Sequence, residues 1–85
     1  MKVVILMKAE EKFSHIKENI ERAAKELKAD VQVVTSSNFR EFAHLSVNPA
    51  LTPIIIMDNV TEFAGNKAPP YEALKKKIIA HAFNR

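Results

Sequence analysis

The chain has no cysteine and no tryptophan, and it carries one glycine among 85 residues. Without cysteine there are no disulfides, no thiolate nucleophiles and no cysteine-ligated metals. With one glycine there is no glycine-rich loop to cradle a phosphate, and the turns fall to Asn, Asp and Pro. Long apolar runs are also missing. Val3 to Met7 and Ile54 to Met57 are the longest, far short of the roughly 20 residues a membrane helix needs. Met1-Lys2 and the five apolar residues behind it lack the length and cleavage site of a signal peptide. These absences predict a cytoplasmic protein with no membrane segment.

What is present suits one domain over residues 1–85, with 47% apolar and 27% charged residues. A chain of this size buries only about 60–65% of its unfolded surface, so its stability margin is thin. The net charge of +3 is mild, and Lys75-Lys76-Lys77 is its densest basic cluster. A nucleic-acid binder offers a broader basic stripe with aromatics interleaved for stacking. Here the lysines read as a solvated helix face, and no nucleic-acid partner is expected. His15, His44 and His81 lie on three different predicted helices, with no His-x-x-x-His pair and no cysteine to supplement them. They read as solvated or capping residues, and neither a metal nor another cofactor is expected. Ser36 and Ser37 read as caps, since no base adjoins them.

Val3-Val4-Ile5-Leu6-Met7 is a continuous apolar run, the pattern of a strand covered on both faces. Lys8 to Lys12 opens a helical pattern in which Phe13, Ile16, Ile20, Ala23 and Leu27 recur at steps of three and four. Asp30 breaks it before a second strand, Val31 to Thr35. Asn38 and Glu41 then fit a capping box at the start of a short helix carrying Phe39, Phe42, Ala43 and Leu45. Asn48-Pro49 is expected to end that helix. Ile54 to Asp58 and Val60 to Phe63 read as a hairpin turning on Asp58-Asn59. Pro69-Pro70 precedes a last helix with Tyr71, Leu74, Ile78 and Ala82 on its apolar stripe and Ile79 and Phe83 beside it. The order βαβαββα demands a parallel first strand pair and an antiparallel terminal hairpin. A four-stranded mixed sheet with helices on both faces follows, with the second and fourth strands at its edges.

Three local patterns add a family. Thr52-Pro53 runs straight into the strand Ile54-Ile55-Ile56-Met57. Phe63-Ala64-Gly65 precedes the final helix containing Leu74-Lys75. Ala23-Ala24-Lys25-Glu26-Leu27 ends the first helix ahead of Asp30 and a strand. Together they resemble the minimal thioredoxin-like and small glutaredoxin-like proteins, whose proline loop carries a cis-proline after a threonine or valine. The likeness covers nearly the whole chain and implies a cis Thr52-Pro53 bond. It places the family's two cysteines at Glu10 and Phe13, with Glu11-Lys12 between them. Thiol–disulfide exchange needs a thiolate attacking a sulfur, and a carboxylate with an aromatic supplies neither.

What the resemblance implies is therefore a non-catalytic module that binds another protein or assembles with itself. In the family, the backbone before the cis-proline pairs with an extended peptide. The corresponding groove here would comprise Glu10, Glu11, Phe13, Leu51, Thr52 and Pro53, and no catalytic or metal residue is assigned. A small enzyme or ligand-binding protein of the glutathione-using type is the alternative, with Ser14 the only hydroxyl near the first helix. A KaiB-like regulatory module, which shares the early βαβ order and a Thr-Pro step, is another.

Overall fold

The computed structural model describes residues 1–8, 14–65 and 67–83. Four strands form one sheet: β1 (Lys2–Leu6), β2 (Gln32–Ser36), β3 (Ile54–Met57) and β4 (Val60–Phe63), in the spatial order β2-β1-β3-β4. β1 pairs parallel with β2 and antiparallel with β3, and β3 pairs antiparallel with β4. Two α-helices, α1 (Ser14–Leu27) and α2 (Tyr71–Ala82), complete the frame, with a 3-10 helix over Phe39–Leu45 between β2 and β3. This is an α/β fold in the minimal thioredoxin-like βαβαββα arrangement.

The pleat sorts the apolar residues into two cores. Val3, Ile5, Ile55 and Met57 face α1 and α2, where they pack with Ile16, Ile20, Ala23, Leu74 and Ile78. Val4, Leu6, Ile54 and Ile56 project to the other face, against Phe39, Phe42, Leu45 and Val47. That is why β1 and β3 read as uninterrupted apolar runs: each serves both layers. Full burial contributes about 1.5–3 kcal/mol per large aliphatic side chain, so these two strands dominate the hydrophobic stabilisation.

With one glycine, the turns use other residues in left-handed conformations. Lys28, Ser46, Asp58 and Asn59 all have positive φ, at 54°, 55°, 49° and 65°. Asp58 and Asn59 make the expected tight hairpin between β3 and β4. Lys28 ends α1 in a Schellman arrangement, in which the Ala29 amide donates to the Ala24 carbonyl (2.9 Å) and the Lys28 amide to that of Lys25 (3.2 Å).

The expected second helix differs from the sequence reading in two ways. It is a 3-10 segment with a break at Phe42, and it ends at left-handed Ser46, ahead of Asn48-Pro49. No capping box forms there. The Asn38 side chain donates to the Glu41 carboxylate (3.1 Å) and makes no bond to a helix amide. Asn48 instead caps the next short turn, Pro49–Leu51, accepting from the Ala50 amide at 2.9 Å. The physical reason is length. Seven residues give an α-helix few internal bonds, and packing of Phe39, Phe42 and Leu45 onto the sheet decides the geometry. Among the described residues, no helix is long and apolar enough to cross a membrane.

Candidate functional site

The proline loop leads directly into β3. Thr52 and Pro53 are buried, their peptide bond is cis, and Leu51 just before them is 41% exposed. The loop is tied to the end of β4, because the Leu51 carbonyl accepts a hydrogen bond from the Gly65 amide at 2.8 Å. Gly65 has φ +112°, a value that L side chains avoid. The glycine after β4 and the residue before the Thr-Pro step are thus one structural unit. Thr52 takes part in an interaction of its own. Of the groove residues expected from sequence, Leu51, Thr52 and Pro53 are adjacent here. Glu10, Glu11 and Phe13 lie outside the described residues. Ser14 is the first described residue of α1.

A second cluster was not anticipated. Opposite the consecutive residues Ile55 and Ile56, β4 presents Phe63 and Thr61, so Glu62 is the extra residue of a β-bulge. A bulge re-aims a side chain, and Glu62 is turned toward α2. His81 Nε2 meets Glu62 Oε2 in a short contact, and Lys77 Nζ lies 3.5 Å from Glu62 Oε1. His81 Nδ1 in turn lies 3.9 Å from Asp58 Oδ2. Asp58 is anchored to β1: its amide donates to the Lys2 carbonyl (3.0 Å), and its Oδ1 accepts from the Lys2 amide (2.9 Å).

The expectation that the histidines are solvated or capping therefore fails for His81. Its side chain is 16% exposed, that of Glu62 15%, and the imidazole stands between two carboxylates. His15 and His44 are exposed. The His81 hydrogen bond, followed by the Lys77 charge, holds the Glu62 carboxyl below the usual carboxylate range against the opposing effect of burial. Asp58 and His81 also border a cleft of about 330 Å³ shared with Met1, Lys28, Asp30 and Phe83. No group of three or more His, Asp or Glu positioned to hold a metal occurs among the described residues.

A third cluster joins the two helices. The Tyr71 hydroxyl of α2 donates to Glu26 Oε1 of α1, and Lys75 Nζ reaches Glu26 Oε2 at 3.4 Å. The Arg22 guanidinium lies over the Tyr71 ring, 3.9 Å from its centroid, in cation–π geometry. The basic triplet is therefore divided. Lys75 pairs with Glu26, Lys77 pairs with Glu62, and Lys76 is exposed.

Sequence reasoning missed the Asp58–His81–Glu62 cluster because no short spacing links its members. The usable signal was Glu62 itself, a charged residue within a four-residue strand next to the Asp58-Asn59 turn. Compared with known proteins, the chain matches no family model, no curated protein and no solved structure.

Proposed function

We propose that this chain is a cysteine-free member of the thioredoxin-like family, a non-catalytic module acting through protein–protein interaction or self-assembly. Leu51 carries the reading. It places an exposed apolar side chain immediately before the buried Thr52-Pro53 step, in a chain with no thiol for that loop to serve. An apolar contact beside a strand-leading loop suits an extended peptide, whose alternate side chains give preference and whose main chain gives affinity. The family resemblance assigns Glu10 and Glu11 to the same groove, and their charge would add a preference for basic residues. A peptide alone buries a small area, so binding is weak unless a larger surface joins in.

The test is a titration of the ¹⁵N-labelled protein with extended peptides that mix apolar and basic residues. The expected result is amide shift changes centred on Leu51, Thr52 and Gly65. They should be lost in Leu51→Asp and kept in Lys76→Glu. Changes confined to the neighbourhood of Lys76 would move the partner surface to α2. Turnover on an insulin-type disulfide substrate would contradict the non-catalytic reading.

A further inference from the structure

The two edges of the sheet are not equivalent. β4 is blunted as natural edge strands usually are, by the bulge at Glu62 and the charge it carries. β2, Gln-Val-Val-Thr-Ser, has neither a charge nor a proline, and its register with β1 is unbroken over five residues. Its backbone polarity follows from the ladder. The Gln32 amide donates to the Met1 carbonyl, and the Ser36 carbonyl accepts from the Met7 amide, both at 3.0 Å. Alternation then turns the amide and carbonyl of Val33 and Thr35 away from β1, to the open edge. Among the described residues, no hydrogen bond reaches those groups. Val34, a β-branched apolar residue, is half-buried and packs in neither core cluster.

We propose that β2 is a self-pairing edge, through which two copies of this chain join antiparallel about a two-fold axis at Val34. The inference deepens the self-assembly side of the proposed function and rests on that reading. The register follows from the alternation. Val33 of one copy faces Thr35 of the other, and each such pair exchanges both of its backbone hydrogen bonds. Val34 faces Val34 as the close, non-hydrogen-bonded pair between them, burying the side chain that neither core uses. A closed two-fold pairing of one edge strand with its own copy has to be antiparallel, which this register satisfies. No charged residue lies in the paired stretch, so identical strands meet without like-charge repulsion. A second copy is favoured over an unrelated strand because the pattern is complementary to itself about Val34. Five residues of edge pairing bury less than the ~1,200 Å² of a standard interface, so the dimer is weak.

The absence of cysteine makes the test clean. The sedimentation mass should rise from one chain toward two between about 10 μM and 1 mM, the range of a weak interface. In Val34→Cys the two thiols would sit on Cα atoms about 4.5 Å apart, within disulfide reach. Under mild oxidant this variant should cross-link at least tenfold faster than Val60→Cys on β4 or Ile79→Cys on α2. Thr35→Pro removes an outward amide without touching the ladder to β1, so it should abolish the mass increase while the fold persists. Should that variant fail to fold, Val34→Lys and Val34→Glu decide: each alone should be monomeric, and their mixture should associate. A constant mass up to 1 mM overturns the proposal. If Val60→Cys or Ile79→Cys cross-links as fast as Val34→Cys, self-assembly stands but β2 is not its surface. A constant mass with peptide-induced shifts at Leu51 refutes the dimer and leaves the binding-module reading intact.

Discussion

His81 of α2 holds the bulged Glu62 of β4, and this contact closes the last helix onto the edge of the sheet. It also sets a direction for acid sensitivity. The folded pKa of Glu62 is lowered, first by His81 and then by Lys77. Its contribution to stability is therefore complete above the unfolded carboxyl value of about 4.3 and is lost as pH falls through the folded value. Urea unfolding at a series of pH values from 7 to 3 should show this loss, and Glu62→Gln should flatten it. Glu62→Ala at pH 7 should cost about 1.5–3 kcal/mol, the range for hydrogen bonds to charged groups. An unchanged acid slope in Glu62→Gln would show that other carboxylates carry the transition.

The Tyr71–Glu26 pair is testable one group at a time. Glu26 is lowered chiefly by the Tyr71 hydrogen bond, and Tyr71 is raised chiefly by Glu26. In Tyr71→Phe the ring under Arg22 is kept and only the donor is removed. Carboxyl NMR titration should then move Glu26 up toward the ordinary carboxylate range. In Glu26→Gln the Tyr71 phenol should titrate lower than in the parent chain. If neither group moves, the hydroxyl and carboxylate are not paired in solution.

Lys28 occupies the left-handed position of the Schellman motif that ends α1, where glycine is the usual residue. An L residue there costs about 1–2 kcal/mol, part of which glycine returns as backbone entropy in the unfolded chain. Lys28→Gly should stabilise the domain by about 0.5–1 kcal/mol. A domain of 60–100 residues gains about 4–8 °C in Tm per kcal/mol, which calorimetry resolves easily. A fall in Tm would mean that the Lys28 side chain has a role in the folded state.

How far each feature was legible in the sequence follows from how local its cause is. β1, β3 and the stripe of Ile16, Ile20 and Ala23 announce themselves because periodicity and burial coincide. The β3–β4 turn was readable from Asp58-Asn59, two residue types that tolerate positive φ. Lys28 and Ser46 take the same conformation at the ends of their helices, where their residue types give no such signal. The 3-10 form of Phe39–Leu45 was hidden because packing onto the sheet decides it. At the proline loop, Leu51, Thr52 and Pro53 could be placed in advance, but not the hydrogen bond to Gly65 that ties loop and strand together. The His81–Glu62–Asp58 cluster depends on one bulge and on the docking of α2, and no residue spacing encodes either.

Gly65 separates conformational from steric cost at the proline loop. Its φ of +112° is one that L residues avoid, yet a Cβ built there would meet nothing within 4 Å. Any penalty in Gly65→Ala is therefore backbone strain, expected at about 1–3 kcal/mol. The strain falls on the amide that donates to Leu51 and on the carbonyl that accepts from Lys67 at 2.6 Å. Hydrogen exchange should accelerate at residue 65, while the amides of β1 keep their protection relative to the lowered global stability. Because the Leu51 carbonyl loses its partner, the same substitution should also weaken peptide binding at Leu51. If Gly65→Ala costs stability but leaves that binding unchanged, the loop holds its shape without β4, and the Leu51–Gly65 bond is a structural tie alone.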